Sequence, residues 1–151
     1  MYEEKTMNRI LRYAVFLILV LVMLSAGCRK TTSPYYDEDR IDHILYNLKR
    51  AFSDHDIDAF MQYFHYDYLH KGQTRWLIEQ VWLNRMGEYL LIDFQDIEIV
   101  VDGDEAIVYF TMKLQNQQET VYTLEPETNG DISYFIYDGY DWYISGNQRY
   151  Y

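Results

Sequence analysis

The sequence predicts an α+β domain in which N-terminal helices pack on one face of a strongly bent antiparallel β-sheet. Three observations carry this. Between residues 39 and 86 large apolar residues recur at spacings of three and four, the period of a helix with one buried stripe. Beyond Gly87 the period changes to two, the alternation of a half-buried strand. Within the first long strand that alternation slips phase, which a bend in the sheet accommodates. With 151 residues, 49% of them hydrophobic, the chain has material for one such domain and is too short for two.

Ahead of the domain, Arg9 and Arg12 precede Ala14 to Leu24, a run of 11 apolar residues, and Ser25, Ala26 and Gly27 precede Cys28. A basic stretch, an apolar stretch and small residues form the layout of a secretory signal peptide, and the run is shorter than the roughly 20 residues of a lasting membrane span. The segment Leu24-Ser25-Ala26-Gly27-Cys28 resembles the lipobox of bacterial lipoproteins. That resemblance implies cleavage before Cys28, acylation of its thiolate sulfur, palmitate included, and attachment to a membrane by those chains. Residues 1–27 are then the cleaved signal peptide, residues 28–38 the lipidated cysteine and its tether, and residues 39–151 the folded domain. Arg29, where Asp would retain a lipoprotein in the inner membrane, resembles the outer-membrane pattern of bacteria with two membranes. The expected location is the cell envelope, lipid-anchored, and the outer membrane facing the periplasm if the source has two membranes. Glu3 and Glu4 are out of place ahead of an export signal, which makes Met7 an alternative start.

The chain carries a net charge of −11, and the N-terminal 27 residues hold a positive share of it, so the remainder is more acidic still. Phosphate backbones and anionic headgroups repel such a surface, which excludes nucleic acid as a partner and leaves attachment to the lipid on Cys28. The one cysteine rules out an internal disulfide, so the fold rests on its core.

Ile41, Ile44, Leu45, Leu48 and Phe52 place one amphipathic helix at about 39–53. Ser53-Asp54-His55-Asp56 ends it, and Asp56 is a natural N-cap for a second helix carrying Ile57, Phe60, Met61 and Phe64. Thr74 is placed to cap a third, with Leu77, Ile78, Val81, Trp82 and Met86 on one side and Gly87 closing it in a left-handed conformation. Strands follow. Leu90, Ile92 and Phe94 fall on even positions, Ile97, Ile99 and Val101 on odd ones, so a bulge is expected near Gln95-Asp96. Asp102-Gly103-Asp104 makes a hairpin turn into a strand whose inner face is Ala106, Val108, Phe110, Met112 and Leu114. A third strand covers about 120–124, and the last hairpin runs from Ile132 to Tyr137, around Asp138-Gly139, and through Trp142 to Ser145.

This order of elements resembles the nuclear transport factor 2-like superfamily, a cone-shaped fold shared by that transport factor, steroid isomerases, scytalone dehydratase and polyketide cyclases. The residues that carry it are AFSDHDIDAFMQYFHYDYLHKG at 51–72, IVVDGDEAIVYF at 99–110 and SYFIYDGYDWYISGNQ at 133–148. The superfamily hosts enzymes, binders and oligomerisation modules, so the resemblance selects no single function.

Candidate chemistry is sparse. Asp54, Asp56 and Asp58 alternate like part of a calcium loop, but the glycine and terminal glutamate are missing, and a capped turn explains them. His65 and His70, with Asp67 between, have a spacing that fits no common zinc motif, so no metal and no cofactor is expected. Aligned on Asp56-Ile57-Asp58 and Phe64, the steroid isomerases would place their oxyanion-hole tyrosine at Leu48 and their general-base aspartate at Gly72, and neither residue can serve. His43, His70 and Asp93 remain as acid/base candidates, with Asp93 expected by alternation to face away from the helices. Aromatics are in excess: 17 Tyr, 7 Phe and 3 Trp. Tyr63 and Trp82 are placed to line the open end of a cone, suited to a small apolar ligand. Tyr109, Phe135 and Tyr137 are expected on the outer sheet face, with Val108, Phe110, Tyr134 and Ile136 inward, as the centre of a homodimer or envelope-partner contact unless residues 147–151 fold over them. The expected function is an envelope binding or protein-interaction module, more so than an enzyme; the alternative is a small pocket enzyme of the hydratase, dehydratase or cyclase type.

Overall fold

The structure, a computed structural model, describes residues 34–148. The expected signal peptide, Cys28 and the end of the tail at residues 149–151 lie outside them. Helix α1 spans Pro34–Ser53, α2 Ile57–Met61 and α3 Arg75–Glu88. Strands β1 (Leu69–His70) and β2 (Gln73–Thr74) make a small hairpin. Strands β3 (Leu91–Asp102), β4 (Glu105–Gln115), β5 (Thr120–Glu125), β6 (Tyr134–Tyr137) and β7 (Trp142–Ile144) make one antiparallel sheet.

Helix α1 begins at Pro34, ahead of the expected 39, because proline suits a first turn and Asp37 extends the buried stripe of Ile41, Ile44, Leu45, Leu48 and Phe52 by one turn. It ends where the sequence says. His55 takes a left-handed φ of 56°, and the Asp56 amide reaches back to the Ala51 carbonyl at 2.9 Å. Asp56 then caps α2, accepting the Ala59 amide at 2.9 Å. Helix α2 stops at Met61, so Phe64 lies beyond it and bridges to Ile144, covering the outer edge of β7.

Two readings of α3 change. Thr74 occupies the N-cap without a side-chain bond, and Gly87 is helical, with Tyr89 as the C-cap in extended conformation. Gly87 is not needed as a left-handed stop because the chain passes directly into β3. The small β1–β2 hairpin, turning through Lys71 and Gly72 with φ of 47° and 78°, had no periodic signal because each strand has only two residues.

The bend lies where the phase slip put it. The β3–β4 register shifts between Gln95 and Glu98, and Asp96 has a φ of 55°. Ile92 and Phe94 before the bulge, and Ile99 and Val101 after it, thereby share the inner face. Strand β4 pairs with β3 along one side; on the other its start meets β6 and its end meets β5. The inner face of β4, Ala106 to Leu114 on even positions, is buried against Phe52, Phe60, Trp82 and their neighbours.

The last hairpin corrects the expected phase. Directly opposed residues of an antiparallel pair share a face, and Phe135 opposes both Ala106 and Ile144, which are buried. Phe135 is therefore inward at 2% exposure, and Tyr137 packs partly on the core beside Trp142. Tyr134 and Ile136 take the outer face instead. The run Tyr134-Phe135-Ile136-Tyr137 contains no polar residue, so alternation alone had nothing to set its phase.

Candidate functional site

A cleft of about 180 Å³ opens where β1 and its turn, α3 and the loop between β5 and β6 meet. It is lined by His70, Lys71, Val81, Arg85, Asn129 and Asp131 among others. Helix α3 supplies Arg85 because the residue lies one turn beyond Val81 and Trp82, whose side chains set that face inward. The guanidinium lies 4.4 Å from the Trp82 ring centroid and pairs with Asp131, Nη1 to Oδ2, at 2.7 Å. Tyr68 fixes the loop from below, its hydroxyl donating to the Asp131 carbonyl at 2.9 Å, and burial pushes that phenol well above its usual range.

The hydrogen bonds of His70 define its tautomer. Its Nδ1 accepts the Asn147 amide at 3.2 Å, so the proton is on Nε2, which donates to the Asn129 carbonyl at 2.6 Å. Burial holds its pKa below the ordinary value. Glu125 underpins the same loop, accepting the Asn129 amide at 2.9 Å and the Gly130 amide, and burial raises its pKa. Asp131 Oδ1 and Ser133 Oγ are buried without a hydrogen-bond partner. Around the cleft stand the Arg85–Asp131 pair, whose second carboxylate oxygen is buried without a partner, and a neutral imidazole. Sequence reasoning singled out His70 but missed Arg85, Glu125 and Asp131, since nothing in a polar loop sequence marks its charges as buried.

The other candidates do not join His70. His43 sits on the exposed side of α1, contacting the Asn47 amide at 3.1 Å, and lines a groove of about 620 Å³ with Tyr63, Arg40 and Tyr143. Asp93 lies between the inward Ile92 and Phe94 and opposes Lys113, so it is on the outer face; Lys49 of α1 reaches around the sheet edge to pair with it and holds its carboxyl below the ordinary value. Trp82 is fully buried and contacts Phe52 and Phe60, so it fills the space it was expected to line. Leu48 is core and Gly72 is in a turn. Tyr109 faces outward at 37% exposure; Phe135 and Tyr137 do not. Among the described residues no group of three or more His, Cys, Asp or Glu is placed to hold a metal, and no helix is long and apolar enough to cross a membrane.

By sequence, no family model matches the chain, and no curated protein does. By structure, it is similar to Bd1075 of Bdellovibrio bacteriovorus, with a TM-score of 0.58 and 13% identity over 77% of this chain and 42% of that one, so it spans less than half of Bd1075. A nuclear transport factor 2-like protein of unknown function from Pseudomonas putida gives a TM-score of 0.60 at 12% identity, over 76% of this chain and 84% of that one. A protein from Streptomyces avermitilis, proposed to be a dehydratase of the same family, gives 0.56 at 15%, over 76% and 94%. The domain has the nuclear transport factor 2-like fold.

Proposed function

We propose that the chain is a lipid-anchored envelope protein whose domain is a protein-interaction module, with the outer face of the sheet as its contact surface. The observation that carries this is the division of large side chains between the two faces. Phe52, Phe60, Trp82 and Phe110 occupy the space between helices and sheet and are fully buried. On the opposite face Val100, Tyr109, Tyr122 and Leu124 stay exposed. Strand register makes them one surface: Val100 opposes Ile107 and Leu124 opposes Thr111, which lie on either side of Tyr109 along the outer face of β4. Covering side chains of this size contributes roughly 1.5 to 3 kcal/mol each, and contiguous apolar patches of this kind mark interaction sites.

The test is a photo-crosslinking amino acid at Tyr122, irradiated in the protein's own membranes. A discrete protein adduct that disappears with Leu124→Lys is expected; absence of any adduct in the wild type would count against the reading.

A second reading has one specific observation behind it. The Arg85–Asp131 pair, with its unsatisfied buried oxygen beside His70, is the kind of polar pocket a small dehydratase or cyclase uses, and one structural neighbour is a proposed dehydratase. At about 180 Å³ the cleft is below the common range of ligand sites, roughly 300 to 1,000 Å³. Saturation of Asp131→Asn against wild type in a ligand-detected screen of small enols and hydroxy acids separates the two readings.

A further inference from the structure

One end of the domain gathers exposed tyrosines around the place where the chain enters it. Tyr36 lies in the first turn of α1, just after Pro34, and is 59% exposed. Arg40, one turn on, has its guanidinium carbon 5.8 Å from the Tyr36 ring, donates to the Tyr140 carbonyl at 2.6 Å and pairs with Asp141. This fixes the β6–β7 turn beside the start of α1. Tyr140, at the tip of that turn, is 83% exposed. On the other flank of the turn, Asp138 and Tyr66 line one cleft, and Tyr66 is 78% exposed. Three tyrosines thus rim one pole, each more than half exposed.

We propose that this tyrosine-rimmed pole rests among the headgroups of the membrane that holds Cys28. The inference rests on the lipid-anchor reading above and deepens it, from attachment to orientation. Five residues, 29–33, lie between the acylated position and α1, and the fully extended segment from Cys28 to Pro34 cannot exceed about 22 Å. The pole at the start of α1 is therefore held within reach of the headgroup layer. Tyrosine is the side chain suited to that layer, with an apolar ring and a hydroxyl that stays hydrated. The charge around it selects the lipid. On the folded pole Glu38, Asp39, Asp67, Asp138 and Asp141 outnumber Arg40 and Arg75, and Arg29 and Lys30 of the tether bring the sum close to neutral, so the match is to zwitterionic headgroups.

The experiment uses the acylated full chain in phosphatidylcholine vesicles. With Cys28 acylated, a cysteine placed at Tyr140 is the one free thiol and takes a spin label; Tyr122→Cys, on the outer sheet face, is the control. The expected result is protection of the label at 140 from a water-soluble nickel relaxant and access to oxygen, with the reverse at 122. Replacing Tyr36 and Tyr66 by serine is expected to shift the label at 140 back toward water, and replacing a third of the phosphatidylcholine by phosphatidylglycerol is expected not to deepen it. Equal water exposure at both positions in acylated protein would overturn the orientation and leave the anchor standing. Immersion that deepens with phosphatidylglycerol overturns the choice of zwitterionic headgroups. A chain that mass spectrometry finds unacylated at Cys28 removes the anchor reading itself, and the orientation with it.

Discussion

The indole Nε1 of Trp142 donates a 3.0 Å hydrogen bond to Oδ1 of Asp37, and both residues are buried. This ties the first turn of α1 to the last strand of the sheet and explains why the helix starts as early as it does. Asp37→Ala leaves a buried indole N–H without a partner and is expected to cost about 1 to 3 kcal/mol, whereas Asp37→Asn, which keeps an acceptor, costs less. Urea denaturation of the two variants checks this; equal losses would show that the bond carries no part of it.

Phe135 and Tyr109 should separate cleanly. Phe135→Ala opens a cavity in the core and is expected to cost about 3 to 5 kcal/mol. Tyr109→Lys, on the outer face, should change stability by no more than about 0.5 kcal/mol while abolishing the crosslinked adduct. If Phe135→Ala were silent and Tyr109→Lys unfolded the chain, the strand phase given above would be reversed.

Gly146 has a φ of 68°, and a Cβ there would meet the Leu69 carbonyl and come within 2.8 Å of the His70 Cβ. Gly146→Ala therefore combines left-handed strain with a backbone clash and is expected to cost more than about 1 to 2 kcal/mol. It should also loosen the Asn147–His70 hydrogen bond. Amide hydrogen exchange at residue 147 reads that directly, and unchanged protection would argue against the close approach.

Burial holds His70 below its ordinary value of 6.5. The folded protein binds this proton less readily than the unfolded chain, so the stability it confers is complete above that value and is lost as pH falls below it. Wild-type protein should lose more of its urea midpoint between about pH 7.5 and about pH 5 than His70→Gln, which can accept from Asn147 and donate to Asn129 without titrating. Parallel profiles would remove His70 as a source of acid sensitivity.

Cys28→Ser is expected to leave an unprocessed, unacylated precursor, since a serine hydroxyl does not replace the thiolate that takes the lipid. Acyl labelling and apparent mass decide it, and a variant of mature size that still carries label would end the lipoprotein reading.

Long, strongly patterned elements were legible from residues alone. The stripe from Ile41 to Phe52, the cap at Asp56, the bulge at Asp96 and the buried even positions of β4 all follow from period and turn chemistry, which act over a few neighbouring residues. The acidic balance and the lipobox-like segment before Cys28 are likewise local and set expectations about partners and place. Short or uniformly apolar segments were not legible. Phe135 turned inward because its cross-strand partners Ala106 and Ile144 are inward, and Lys49 reached Asp93 because α1 lies along the sheet edge. The Arg85–Asp131 pair needed α3 and the β5–β6 loop to converge from 46 residues apart. Sequence determined which elements form, because their signals are local free energies; tertiary structure decided the face of each short strand and the partners of each buried charge, because those depend on residues that only folding brings together.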